Sequence, residues 1–257
     1  MHLTLITVFL IISLNAFSQA RSIHVLVALC DNENQGIVPV PNKIGNGQDP
    51  LNNLYWGCAY GVKTYFKKQP DWILVKQYKN PSTIIYERLI FKHKDSSVFL
   101  IADAYNGAKI KQTTIDFLHY SAGHLKTMAF IGNDTVKMGG NANLLCYIGH
   151  NGLMDFSLSS NPKPTDNKKR EVVILACSSK SFFEEPIKST GAYPLIWTTN
   201  LMCPEAYTLK AILDSWINRE STELIRSNAA KTYHQYQKCG IKGANKLFVT
   251  EYSHTRQ

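Results

Sequence analysis

The chain carries six cysteines, yet it has no CxxC pair and no Cys/His spacing of the kind that holds zinc. It also lacks a GxSxG elbow, a Walker loop, and a GxGxxG following a predicted strand, the motifs of serine hydrolases, phosphate-cradling nucleotide enzymes and dinucleotide-binding enzymes. His119 and His124 stand five apart on a predicted helix and do not share a face, so they form no metal pair. No metal and no cofactor is expected. There is no internal repeat and no low-complexity tract. Past the amino-terminal stretch there is no long apolar run, so no membrane span is expected once that stretch is removed. Acidic residues are scarce, 19 Asp and Glu against 28 Lys and Arg, for a formal charge of +9. The excess is scattered, with Lys168-Lys169-Arg170 the main cluster. It reads as a solvated surface, and no nucleic-acid partner is expected.

An apolar stretch from Leu3 to Phe17 is followed by Ser18-Gln19-Ala20, small residues where a signal peptidase reads. The expected organisation is a signal peptide over 1–20 and a single α/β domain over 21–257, secreted or periplasmic. An even number of cysteines in such a compartment permits disulfides. Cys30 and Cys146 lie within apolar runs and read as buried thiols.

Strand-length apolar runs alternate with segments of helical period, which predicts crossover units and a mainly parallel central sheet. Strands are expected over His24–Cys30, Trp72–Gln77, Ser97–Ala104, Leu144–Gly149, Val172–Cys177 and Tyr193–Thr199. Helices are expected over Asn53–Lys67, Ala108–Ala122, Pro204–Asn218 and Glu223–Lys238. Ile84–Phe91 and Met128–Met138 read as extra strands or a hairpin, and Lys246–Tyr252 as a last strand. Gly36–Asn53 is a Pro-, Gly- and Asn-rich loop just after the first strand.

Two of the predicted strands deliver chemistry. Leu144-Leu145-Cys146-Tyr147-Ile148-Gly149 runs into His150, and Val172-Val173-Ile174-Leu175-Ala176 runs into Cys177. In an open α/β sheet, ligands sit beyond the carboxyl ends of the strands. A His and a Cys brought there from separate strands form a base and nucleophile pair. Asp31, Glu33 and Asp155 fall on loops entering the same crevice, where a carboxylate selects a basic side chain. Asp31 and Asp155 are therefore candidate substrate-binding residues, selecting a Lys or Arg side chain.

The words Tyr147-Ile148-Gly149-His150-Asn151-Gly152 and Ile174-Leu175-Ala176-Cys177-Ser178-Ser179 resemble the His and Cys motifs of the caspase, legumain and gingipain group of cysteine peptidases. Ala102–Ile110 with the amphipathic segment after it is similar to the stretch preceding the His strand in that group, and Tyr193–Tyr207 to the strand and pocket loop after the nucleophile. The resemblance implies a caspase-like α/β fold, a three-layer sandwich, and a secreted thiol protease acting on peptide or protein substrates. It implies His150 as general acid/base and Cys177 as nucleophile, with the backbone N–H groups of Cys177 and Gly152 binding the oxyanion. It further implies Asn32 as the residue orienting the His, and Thr198, Thr199 and Met202 lining the specificity pocket. One departure stands out. The family has Gly directly after the His, whereas here Asn151 intervenes before Gly152. On that departure rests the alternative, a non-catalytic relative that keeps the fold to bind a peptide or surface partner.

Overall fold

A computed structural model describes residues 20–252; apart from Ala20, the stretch read as a signal peptide lies outside the described residues. The chain is an α/β protein with a mixed, mostly parallel eight-strand sheet flanked by helices. The strands are β1 (Arg21–Ala28), β2 (Trp72–Lys79), β3 (Ile85–His93), β4 (Val98–Tyr105), β7 (Leu144–Ile148), β8 (Glu171–Leu175), β9 (Tyr193–Thr198) and β10 (Phe248–Val249). Their order across the sheet is β10-β9-β8-β7-β1-β4-β3-β2. β9, β8, β7, β1 and β4 run parallel; β3 and β10 run against them, and β2, antiparallel to β3, closes one edge in the direction of the central strands. β5 (Lys126–Ile131) and β6 (Asp134–Gly139) form a separate hairpin turning through Gly132 and Asn133.

The central strands are apolar on both faces because helices cover both. Ile23, Val25 and Val27 of β1, with Cys146 and Ile148 of β7, pack against α1 (Val62–Lys67), α4 (Ala206–Ile217), α5 (Thr222–Gln237) and α6 (Ile241–Leu247). Leu26, Tyr147 and Ile174 face the other way, toward α2 (Ile110–Ser121) and α3 (Ser179–Thr190). Leu209, Ile212, Leu213 and Trp216 of α4 are buried, each contributing about 1.5–3 kcal/mol by removal from water.

One polar network sits within this packing. Arg88 donates two hydrogen bonds to Asp103 at 2.6 Å, and His24 Nε2 lies 3.0 Å from the same carboxylate. His24 Nδ1 accepts from the Gly139 N–H at 3.0 Å, so the ring proton is on Nε2 and the imidazole ties the hairpin to the sheet. Burial opposes charge on Asp103, but Arg88 and His24 outweigh it and hold the carboxyl below its ordinary value.

Two expected elements are shortened. Asn53–Lys67 is helical only from Val62, because the buried Asn53 side chain is spent on loop backbone, accepting from the Cys30 and Tyr55 N–H groups and donating to the Cys30 and Asn46 carbonyls. The last strand is the two-residue β10, because α6 occupies the residues before it.

Candidate functional site

The chain leaves β1 toward β4, then crosses back to continue through β7, β8 and β9 on the other side. This reversal opens a crevice between β1 and β7, the place where α/β sheets receive ligands. Gly149 and His150 follow β7 there, and Ala176 and Cys177 follow β8. Gly149 has φ +139°, and a Cβ on it would meet the Ala28 carbonyl oxygen at 2.6 Å, so only glycine makes this turn. Cys177 sits on the turn into α3, whose N-cap, Ser178, is left-handed at φ 47°.

His150 and Cys177 line one pocket of about 470 Å³. Ile37, Val38, Val40 and Leu54 come from the loop after β1, Leu201 and Met202 from the loop after β9, and Met154 from the turn after His150. Val38 (85 % exposed) and Leu201 (67 %) stand on its rim as apolar side chains in water. Among the described residues lining it, Glu205 is the single carboxylate, and no Lys or Arg is present. A larger cavity of about 890 Å³ lies around Arg21, Glu171, Tyr193 and Trp216, at the opposite end of the strands, and holds neither a thiol nor an imidazole.

The His150 ring is nearly buried and its Nε2 lies 2.8 Å from Asp155 Oδ2. A carboxylate only accepts, so Nε2 carries the proton and Nδ1 is the nitrogen with a free lone pair. Asp155 is itself fixed by the Gly36 N–H at 3.0 Å; a Cβ on Gly36 would stand 2.4 Å from Asp155 Oδ1, so this approach needs glycine. The His150 carbonyl accepts from the Tyr147 hydroxyl at 2.8 Å. The Cys177 sulfur accepts from the Met202 N–H at 3.4 Å and faces the Met202 carbonyl at 3.6 Å.

The structure gives several residues singled out in the sequence other work. Asp155 faces the His150 ring and does not line the pocket. Asn32, expected to orient the histidine, holds its own loop by exchanging two hydrogen bonds with the Val40 backbone, at 2.7 and 3.0 Å. Asp31 is buried and saturated, accepting from the Glu33 and Asn34 N–H groups and the Asn34 and Gln48 side chains. Gly152 packs against Phe156 and Ile110, on the far side of the sheet from the pocket. Thr198 is buried beneath the Cys177 turn, bonded to Ser179 and the Ala176 carbonyl. Thr199 binds the Lys246 carbonyl and lines a neighbouring cleft. Met202 does line the pocket.

Asn151 is no loose insertion. Fully buried, it donates to the Cys177 carbonyl at 2.8 Å and accepts from the Leu153 N–H at 3.1 Å, tying the His turn to the Cys turn.

Glu205 carries no sequence signal of its own, although Pro204 before a helix marks the place. Its carboxylate accepts from Tyr207 at 2.9 Å and Gln237 at 3.3 Å. Burial raises its pKa, offset in part by the Tyr207 hydroxyl, so the site is short of a cation. Comparison with family models, with curated proteins and with solved structures gives no match for this chain.

Proposed function

We propose that this protein is an exported cysteine endopeptidase of caspase-like architecture, with Cys177 as nucleophile, His150 as acid/base and Asp155 as the residue positioning His150. The observation that carries the reading is the meeting of Cys177 and His150 in one pocket from the ends of adjacent strands, with the imidazole held through Nε2 so that Nδ1 is its reactive nitrogen. In the reaction, His150 Nδ1 takes the Cys177 thiol proton, the sulfur attacks the peptide carbonyl carbon, and His150 passes that proton to the departing amine as the C–N bond breaks, leaving a thioester. Water then attacks the thioester while His150 accepts its proton, and the acid product leaves with the thiol restored. The Cys177 N–H is the oxyanion donor in this scheme, since Gly152 lies on the far side of the sheet from the pocket.

A pocket with apolar walls and one under-compensated carboxylate suits a lysine or arginine side chain, whose stem packs while its cation meets Glu205. Cleavage is thus placed after basic residues, with Glu205 as the selecting carboxylate. The placement of Gly152 away from the pocket supports the second reading, a relative that binds peptides without cutting them. The deciding experiment is hydrolysis of a mixed peptide library by the full chain and by Cys177→Ala. Cleavage after Lys or Arg that disappears in the variant, with its unfolding temperature unchanged, is expected. Absence of cleavage, or cleavage that survives the substitution, rules the endopeptidase out.

A further inference from the structure

The pocket contains a second thiol that the proposed chemistry does not use. Cys203 lines it with Cys177, is exposed, and directly follows Met202, whose backbone N–H and carbonyl both face the Cys177 sulfur. Tyr55 lines the same pocket as the two thiols. Burial raises the Cys203 thiol above its ordinary value, with Glu205 and Cys177 adding to it. The residues after Thr199 up to the start of α4 are irregular, and a turn of the Cys203 side chain breaks no helix or sheet bond.

We infer that Cys177 and Cys203 form a reversible disulfide that closes the pocket when a peroxide reaches it. The inference rests on the proposed peptidase reading only for its regulatory meaning. In the first step the Cys177 thiolate attacks one oxygen of hydrogen peroxide, the O–O bond breaks and hydroxide leaves, giving a sulfenic acid. In the second, the Cys203 sulfur attacks the Cys177 sulfur, the S–S bond forms, the S–O bond breaks and water leaves with the Cys203 proton. Two thiols have lost two electrons, and the peroxide has become two waters. Of the other thiols, Cys30 is fully buried and burial raises it to about 11, Cys58 is engaged with the Asn52 carbonyl at 3.1 Å, and Cys239 lines the neighbouring cleft and not this pocket.

The test treats the reduced full chain with a small excess of hydrogen peroxide, alkylates the remaining thiols and digests with trypsin without reductant. Residues 171–180 and 189–210 each contain a single cysteine, Cys177 and Cys203. The expected product is the cross-link of these two peptides, released by dithiothreitol. In Cys203→Ser the cross-link vanishes and Cys177 proceeds to sulfinic acid, which thiols do not reduce, so the Cys177 thiol recovered by dithiothreitol falls about tenfold or more. Equal sulfinic acid in wild type and variant, or a cross-link from Cys177 to Cys30 or Cys58, overturns the inference. The cross-link is read by mass and needs no substrate. A cross-link in a protein that cleaves no peptide refutes the peptidase while leaving the disulfide standing, and cleavage without the cross-link does the reverse.

Discussion

Replacing Asn151 by alanine removes the side-chain bond that joins the His150 turn to the Cys177 turn and the cap on the turn after His150, and the cost can be worked from their geometry. The side chain is fully buried, donates to the Cys177 carbonyl at 2.8 Å and caps the Leu153 N–H at 3.1 Å. Loss of a cap of this kind costs about 0.5–2 kcal/mol. An orphaned buried carbonyl adds about 1–3 kcal/mol. The sum, about 1.5–5 kcal/mol, lowers the melting temperature of a chain of this size by about 3–20 °C. Asn151→Asp keeps the cap but sets a carboxylate oxygen against the Cys177 carbonyl, so it should be no better tolerated than alanine. Thermal unfolding followed by circular dichroism measures both. A drop of less than about 2 °C for alanine, or wild-type stability for aspartate, refutes the view that this residue joins the two turns.

Asp155→Asn leaves His150 in place but removes the carboxylate that fixes its tautomer, and should reduce kcat about 10²–10⁴-fold with little change in KM; peptide hydrolysis at its wild-type rate would show that Asp155 does not position the imidazole. Glu205→Gln should lower kcat/KM for Lys and Arg peptides about 10–100-fold, the value of a charge-assisted hydrogen bond, and affect uncharged peptides less; an equal loss on both assigns Glu205 to structure instead. Arg88→Met leaves Asp103 buried without its main partner and should cost about 3–5 kcal/mol. Since the folded Asp103 pKa lies below the unfolded one, its stabilisation is complete above about pH 4 and is lost as pH falls through the folded value. The variant should therefore unfold at a higher pH in an acid titration, and an unchanged acid midpoint would reject the role of this network.

The strands are readable in the sequence because parallel strands buried on both faces are continuous apolar runs. Each run also points to the residue at its carboxyl end, which is why His150 and Cys177 stand out. Residues acting through a loop closure leave no such trace. Asp155 reaches His150 only because a short 3-10 turn over Gly152–Met154 folds the chain back, and Gly36, far away in sequence, comes close enough to hold it. Asp31 and Asn32 look like crevice residues because they come just after a strand, but an Asx side chain bonds its own loop before it meets a ligand, and both do so here. In the sequence Asn151 is an interruption of a motif. Its worth depends on the Cys177 carbonyl, 26 residues away, a pairing no local pattern reports.

The two borders of the sheet bear on how this molecule meets others. A border strand offers a row of unpaired amides on which another chain can zip. Here one border is β10, two residues long, and the other is β2, broken by a bulge between Leu74 and Lys76 and carrying lysines at 76 and 79. Neither presents a straight, uncharged ribbon. Copies of the chain are thereby discouraged from stacking into fibres at high concentration, and an extended segment of another chain finds little border along which to lengthen the sheet.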